Sequence, residues 1–164
     1  MYWDKETETL DRKALEELQL GRLRKALEAA SRTPFYSKVF KEHGVHAEKL
    51  RSLEHLRDIP FTVKNDLRVS YPDGMVAVPM KEVVRMHASS GTTGKSTVIF
   101  YTKKDVDEWA NQVARSMVAT GATQDDVFQN MMGYGLFTGG LGLHYGAEKL
   151  GCLVIPMSSG NTLK

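Results

Sequence analysis

The sequence of 164 residues predicts an α/β fold that follows a helical N-terminal region. Up to residue 79 the chain shows only helical patterns and turns, with apolar residues spaced three and four apart. From residue 80 onward, runs of β-branched and aromatic residues alternate with helical patterns. The last of these runs, Cys152–Pro156, is apolar throughout, as in a strand buried on both faces of a parallel sheet. We therefore predict a helical region over residues 1–79 and a partial α/β domain over residues 80–164.

Composition excludes several classes of protein. Hydrophobic residues make up 41% and charged residues 26% of the chain, which is typical of a folded globular protein. The net charge is +2 without a basic block, so neither nucleic-acid nor membrane binding is predicted, and no apolar run is long enough to span a membrane. The single Cys152 fits a cytoplasmic protein and is predicted to be a buried, inert thiol. No metal site is predicted, because His43 and His46 have no further ligands near them in sequence.

Two helices are predicted in the first 44 residues. Asp11 is placed as the N-cap of a long helix that runs to about Ala30. Thr33-Pro34 ends it, and a second short helix is closed by Gly44, because glycine favours the left-handed conformation that ends many helices. The apolar stripe of the long helix consists of Leu15, Leu18, Leu20, Leu23, Leu27 and Ala30.

Shorter elements are predicted for the rest of the N-terminal region. Ser52–Arg57 is predicted to form one or two helical turns. Thr62 is predicted to cap a helix that runs through Val69, and composition predicts a turn at Tyr71–Gly74.

Two strands and a helix are predicted around a polar loop near residue 90. Val83–Ala88 and Val98–Tyr101 are rich in β-branched and aromatic residues, so we expect strands on both sides of the loop, as in a hairpin. Thr102 or Asp105 then caps a helix that reaches about Thr120. The predicted apolar stripe of this helix is Val106, Trp109, Val113 and Met117, and Gly121 is placed to end it.

A strand, a helix and a strand complete the α/β pattern. Val127–Met132 predicts a short strand and Gly133–Gly142 a glycine-rich turn. A helix through about Lys149 follows, and Cys152–Pro156 is the next strand. Crossovers between parallel strands are expected to be right-handed.

The polar loop has the chemistry of an anion-binding site. Ser89–Thr97 combines two glycines, six hydroxyl side chains and Lys95 in nine residues. Glycine lets backbone N–H groups turn towards a bound oxygen, and hydroxyls and an ammonium group add donors suited to phosphate. It is not a Walker A loop, because Gly91 and Gly94 enclose two residues instead of four and a strand follows. A flexible polar turn is the alternative, and the density of donors favours phosphate binding.

A second candidate site lies after the predicted strand that ends near residue 132. Open α/β sheets bind ligands beyond the carboxyl ends of their strands. Tyr134 and Phe137 can wall an aromatic pocket there, and Gly139 and Gly140 can let a ligand approach the backbone. Spacing alone leaves open whether these aromatics belong to the core, and whether His144 lines a pocket or caps the helix.

These segments carry a family resemblance. Ser89–Lys95 resembles the phosphate-binding signature of the adenylate-forming acyl-CoA synthetases, although Ser96 stands where that signature commonly has proline. Within that superfamily the chain resembles the phenylacetate–CoA ligase family. The further segments that resemble it are Pro60–Lys64, Asp66–Arg68, Tyr71-Pro72, Gly133–Gly142, His144–Glu148 and Gly160–Thr162.

The resemblance implies the N-terminal part of an enzyme that activates an aryl acid, phenylacetate, with ATP and Mg²⁺ and transfers it to coenzyme A. It implies that the acid is bound by Tyr134, Phe137, Gly139 and Gly140, and it places the catalytic residues beyond Lys164. A non-catalytic interaction module of the same lineage is the alternative. The residues implied to bind the ATP phosphates are Ser89, Ser90, Gly91, Thr92, Thr93, Gly94 and Lys95.

The resemblance also implies an incomplete large domain of an adenylate-forming enzyme. Segments for adenine, ribose and magnesium, and a mobile C-terminal domain, are expected after Gly160–Thr162. The apolar strand Cys152–Pro156 lacks a predicted neighbour on one side, and such edges associate. We therefore expect the isolated chain to be inactive, and to associate with copies of itself or with the remainder of its own polypeptide.

Overall fold

The computed structural model describes residues 1–89 and 96–160. The chain forms two compact units, one of Thr9–Met80 and one of Met1–Glu8 with Lys81–Lys164. The α-helices of the described residues are α1 (Lys5–Glu8), α2 (Arg12–Ala30), α3 (Pro34–His43), α4 (Lys64–Val69), α5 (Lys103–Ala119) and α6 (Gly139–Leu150). The strands are β1 (Val83–Ala88), β2 (Val98–Thr102), β3 (Val127–Gln129) and β4 (Leu153–Ile155), and short 3₁₀ helices occupy Ala47–Lys49, Leu53–Asp58 and Met80–Glu82.

Capping residues set the ends of the helices in the unit Thr9–Met80. Asp11 accepts a hydrogen bond from the Ala14 N–H at 2.8 Å and begins α2, as predicted. Thr33 is buried and accepts from the Tyr36 N–H, so the residue expected to end one helix also begins the next. Gly44 closes α3 at φ +64°, in the left-handed region. The core of this unit is formed by Leu27, Phe40 and Leu50.

The prediction that Thr62 caps the next helix is wrong by one residue. Val63 precedes α4, and its N–H donates to the Asp66 carboxylate at 2.8 Å. The Thr62 hydroxyl instead forms a hydrogen bond with the Tyr36 hydroxyl at 2.8 Å. The Asp66 carboxylate in the first turn accepts from the N–H of the residue that precedes the helix and its charge favours the N-terminal end, so the start of α4 does not depend on a threonine cap.

In the second unit, β1 and β2 pair antiparallel, as expected of strands that flank a loop. Thr102 and Asp105 form a reciprocal capping box at the start of α5, so both predicted candidates take part. Gly121 follows the helix at φ +99°. Residues 1–8 contact α5: the Trp3 Nε1–H donates to Asn111 Oδ1 at 2.6 Å, and Arg115 pairs with Asp4 and Glu8.

The stripe of α5 that packs most deeply differs from the predicted one. Trp109, Val113 and Met117 are only half-buried. Small residues are central because α6 approaches closely: a Cβ at Gly142 would overlap the Trp109 ring, and a Cβ at Gly146 would overlap Val113. The buried residues of α5 are Val106, Ala110, Ala114 and Val118.

Strands β3 and β4 pair in parallel, and α6 connects them along the chain, as the α/β pattern predicts. However, β1–β2 and β3–β4 are separate two-stranded sheets in the described structure. The prediction that the last strand is buried on both faces is wrong for the described residues, since Leu153 is 64% and Ile155 38% exposed. The reason is that no described element covers that face of a sheet only two strands wide.

No helix among residues 1–89 and 96–160 has both the length and the apolarity needed to cross a membrane.

Candidate functional site

The ends of the polar loop are held together by two hydrogen bonds. The Ser89 N–H donates to the Thr97 carbonyl at 2.9 Å, and the Thr97 N–H donates to Ser89 Oγ at 3.0 Å. The Ser89 hydroxyl keeps its own proton for a further acceptor, because it accepts in the bond to Thr97. The remaining predicted phosphate-binding residues lie outside the described residues, and their role stays a prediction: Ser90, Gly91, Thr92, Thr93, Gly94 and Lys95.

The Leu136 carbonyl connects the two candidate segments. It accepts from the Ala88 N–H at 2.9 Å and from His87 Nδ1 at 2.9 Å. Ala88 is the last residue of β1 and directly precedes Ser89, whereas Leu136 lies between Tyr134 and Phe137. The structure therefore brings the base of the polar loop against the segment predicted to bind the acid.

His87 is a buried residue of this site that the sequence analysis did not single out. It is 2% exposed and meets the Tyr101 and Trp109 rings edge-on, with centroid distances of 5.6 and 5.4 Å. Because a carbonyl only accepts, Nδ1 carries a proton and donates it to the Leu136 carbonyl. Within the described ranges Nε2 has no hydrogen-bond partner, and neither does the hydroxyl of the buried Thr97. A histidine at an alternate position of a strand whose other residues, apart from Arg85, are apolar was the available signal.

Tyr101 completes the aromatic cluster around His87. Its ring stacks on Trp109 with a centroid distance of 5.4 Å. Burial raises the pKa of Tyr101, and the nearby Asp105 carboxylate adds to the rise, whereas Arg85 opposes it. The phenol therefore stays protonated at neutral pH and serves as a packing residue.

Tyr134 belongs to a chain of hydrogen-bonded side chains. The buried Asn130, at the end of β3, donates from Nδ2 to the Tyr134 hydroxyl at 2.8 Å. The same hydroxyl lies 3.0 Å from His144 Nδ1, and His144 Nε2 lies 3.1 Å from Glu148 Oε1. His144 is one and a half turns into α6, so it neither caps the helix nor lies in a loop. Asn130 and this chain were not predicted, since their spacing in sequence follows no motif.

The structure places the other predicted acid-binding residues on both sides of the start of α6. Phe137 is 53% exposed in the segment before the helix. The predicted turn through Gly142 is too long, because α6 begins at Gly139 and includes Gly140. A Cβ at Gly140 would overlap the Gly133 carbonyl, and one at Gly139 would overlap the Met132 side chain. Gly140 is therefore needed for the close fold-back of residues 132–137, whereas the flexible end of the Met132 side chain can move away from a Cβ at Gly139. Contact of either glycine with a ligand stays a prediction.

Cys152 is half-buried, and its thiol donates to the Thr123 carbonyl at 3.2 Å. Burial raises the pKa of the Cys152 thiol, and the Asp126 carboxylate adds to the rise. A thiol that stays protonated is a poor nucleophile, in agreement with the predicted inert role.

Sequence relatives support the resemblance over nearly the whole chain. No family model matches the chain. It is 57% identical to a phenylacetate-coenzyme A ligase of Pseudomonas putida over 160 residues, which are 97% of this chain and 36% of that protein. The identity is 53% to the same enzyme of Escherichia coli, over 97% of this chain and 36% of the relative. The identity to the phenylacetate-coenzyme A ligase of Thermus thermophilus is 52%, over 99% of this chain and 37% of the relative. The chain thus spans about a third of the length of these curated relatives.

Solved structures confirm the predicted fold class. A 2-hydroxyisobutyryl-CoA ligase in its postadenylation state, in complex with 2-HIB-AMP, matches with a TM-score of 0.88 and 29% identity. The same ligase in the thioesterification state, with 2-HIB-AMP and CoA, matches with a TM-score of 0.89 and 31% identity. Each match covers 99% of this chain and 35% of the solved chain. The helical region and the first strands and helices of an adenylate-forming CoA ligase are therefore the fold of this chain.

Proposed function

We propose that this chain is the N-terminal part of an ATP-dependent phenylacetate–CoA ligase. The observation that carries the proposal is the 52–57% identity to curated phenylacetate-CoA ligases over at least 92% of the chain. In the proposed reaction the phenylacetate carboxylate attacks the α-phosphorus of ATP, which gives phenylacetyl-AMP and pyrophosphate. The thiol of coenzyme A then attacks the acyl carbon and displaces AMP.

In this reaction the polar loop binds the ATP phosphates. A carboxylate that approaches a polyphosphate is repelled unless donors and cations neutralise the phosphate oxygens. Ser89 to Lys95 supply hydroxyls, backbone N–H groups and one ammonium group. The two hydrogen bonds between Ser89 and Thr97 support this role, because they fix both ends of the loop at the end of a hairpin.

The acid is bound by the segment that starts at Tyr134. Tyr134 and Phe137 contact the phenyl ring, and Gly139 and Gly140 leave room for the acid beside the backbone. The hydrogen bonds from β1 to the Leu136 carbonyl support this assignment, since they keep the acid-binding segment beside the base of the phosphate loop. A carboxylate and a phosphate must meet in the first step, and this arrangement serves that encounter.

ATP and coenzyme A enter as substrates, in line with the acyl-AMP and CoA bound by the related 2-hydroxyisobutyryl-CoA ligase. Mg²⁺ accompanies ATP. No group of three or more His, Cys, Asp or Glu side chains in the described part of the chain is arranged to hold a metal. Substrate phosphate oxygens usually provide part of the coordination of Mg²⁺, and the ATP phosphates would do so here. We place the enzyme in the cytoplasm, in the catabolism of phenylacetate.

The nucleotide product tests the proposal. The complete native polypeptide is incubated with phenylacetate, Mg-ATP and coenzyme A, and nucleotides are separated by chromatography. We expect AMP and pyrophosphate to form with phenylacetyl-CoA, and their formation to require phenylacetate. ADP as the product, or AMP formation independent of the acid, would contradict the proposal.

A further inference from the structure

We infer that His144, held by Glu148, is a positioning residue that accepts a hydrogen bond from the Tyr134 hydroxyl. Tyr134 then has no free O–H donor to offer a ligand. This inference rests on the proposed function of Tyr134 as a wall of the acid pocket. It adds a basis for selectivity: the wall favours an unsubstituted aryl ring over one that carries a hydroxyl.

The orientation of the Asn130 amide is fixed by its neighbours. Asn130 is 1% exposed, its Nδ2 lies 2.8 Å from the Gly140 carbonyl, and its Oδ1 accepts from the Met132 N–H at 3.2 Å. A carbonyl only accepts and an N–H only donates, so the nitrogen and oxygen of the amide cannot be exchanged. The 2.8 Å contact between Nδ2 and the Tyr134 hydroxyl is therefore an N–H that donates to the phenol oxygen.

The other end of the chain is fixed by Glu148. An ionised carboxylate only accepts, so His144 Nε2 carries a proton and donates to Glu148 Oε1 at 3.1 Å. In the neutral imidazole Nδ1 then has a lone pair. The Tyr134 hydroxyl, 3.0 Å away, donates its proton to this nitrogen. With a neutral imidazole, one direction of proton donation satisfies all three contacts: Asn130 to Tyr134, Tyr134 to His144, and His144 to Glu148.

This arrangement has a consequence for the ligand that Tyr134 meets. The hydroxyl accepts one hydrogen bond and donates its only proton, and its ring is further held edge-on to the His144 ring at 5.7 Å. A phenyl ring needs no polar partner from this wall. The oxygen of a ring hydroxyl that loses its water at this wall receives no hydrogen bond from Tyr134. Such a ring is disfavoured, because a buried polar atom that loses a hydrogen bond is costly.

Variants of His144 separate positioning from packing. His144→Gln keeps an acceptor for the phenol and a donor for Glu148, whereas His144→Leu removes both. Tyr134→Phe removes the hydroxyl whose proton is in question. Each of the three substitutions is made singly in the complete native polypeptide, and His144→Leu is also combined with Tyr134→Phe. Far-UV circular dichroism verifies that every variant folds.

The kinetic readout is the ratio of kcat/KM for phenylacetate to that for 2-, 3- and 4-hydroxyphenylacetate. We expect His144→Leu to lower at least one of the three ratios roughly tenfold, the scale of one hydrogen bond, with the KM for ATP unchanged. His144→Gln is expected to retain the ratios. In the Tyr134→Phe background, His144→Leu should no longer change them. Unchanged ratios in His144→Leu, or the same change in both backgrounds, would overturn the inference.

A spectroscopic readout separates failure of this inference from failure of the proposed function. Ring ¹⁵N shifts of His144, assigned by their loss in His144→Gln, are expected to show the neutral tautomer protonated at Nε2. A proton on Nδ1 of His144 would overturn the inference, regardless of which acid the enzyme activates. If the wild-type enzyme does not adenylate phenylacetate, the proposed function fails and with it the role in selectivity. The Nε2 tautomer would then support only the bond between Tyr134 and His144.

Discussion

Single residues carry the most direct test of the phosphate loop. Lys95→Ala should lower kcat/KM for ATP about 10- to 100-fold in the complete polypeptide, because a charge-assisted contact to phosphate contributes about 1.5–3 kcal/mol. Lys81→Ala serves as the control, since Lys81 is an exposed lysine of a short 3₁₀ helix. Steady-state kinetics with varied ATP measure both variants. If the two substitutions lowered kcat/KM for ATP equally, the prediction that Lys95 contacts the phosphates would be wrong.

The Cys152 thiol gives a residue-level prediction for pH. Burial, together with the charge of Asp126, raises its pKa, so the protonated thiol is favoured in the folded state. The stabilisation that comes from the protonated Cys152 thiol is fully present below the ordinary thiol pKa. It is lost as the pH rises through the raised pKa of the folded state. We expect iodoacetamide to label native Cys152 more slowly than urea-unfolded chain between about pH 7 and 9, as measured by mass spectrometry. Native labelling as fast as unfolded labelling would contradict this.

Some residues of the candidate site could be proposed from local composition, and others could not, for a physical reason. Ser89 and Tyr134 stood in segments dense in glycine, hydroxyl and aromatic groups, and local composition identifies such segments. Asn130 and His87 act through partners distant along the chain, such as Gly140 for Asn130 and Leu136 for His87. Their roles depend on which strands and helices meet, and spacing in the sequence does not report that.

At the scale of elements, the crossing of α5 and α6 depends on small residues. Glycine-to-alanine substitutions, one at this crossing and one in α2, test this dependence. Gly146→Ala should destabilise the fold by about 1–3 kcal/mol, because the new Cβ would overlap Val113. Gly21→Ala in α2 should stabilise by about 0.5–1 kcal/mol, since nothing lies within 4 Å of its Cβ position and alanine favours helix. Urea unfolding of both variants measures the difference. Destabilisation by both would show that the prediction misjudges the space at Gly21.

The bounds of elements were predictable where a side chain or a glycine acts locally. Asp11, Thr33 and Gly44 set the ends of α2 and α3 through bonds and angles within a few residues. The start of α6 was not predictable in this way. A run of glycines locally favours a turn, but Gly139 and Gly140 are helical because the chain before them folds back closely onto the helix. Tertiary packing overrides propensity there.

At the scale of the whole molecule, apolar side chains exposed on both described sheets are expected to promote association. Val127 and Leu153 on the β3–β4 sheet are 60% and 64% exposed, and Val84 on β1 is 58% exposed. We expect a polypeptide limited to residues 1–164 to form no AMP and to increase in mass with concentration in light scattering. Leu153→Lys should reduce the association more than Leu56→Lys, which alters an exposed leucine outside the sheets. A monomeric polypeptide at all concentrations, or one that forms AMP, would contradict the expectation.

The shared Leu136 carbonyl has a thermodynamic consequence for how the proposed substrates affect each other's binding. Because of its two hydrogen bonds to His87 and Ala88, a shift of the segment proposed to bind the acid strains the end of β1, and a shift of β1 strains that segment. Linkage then requires reciprocity: the factor by which bound ATP changes the dissociation constant of the acid equals the factor by which the acid changes that of ATP. The enzyme would behave as two coupled sites, with one energy of interaction between them.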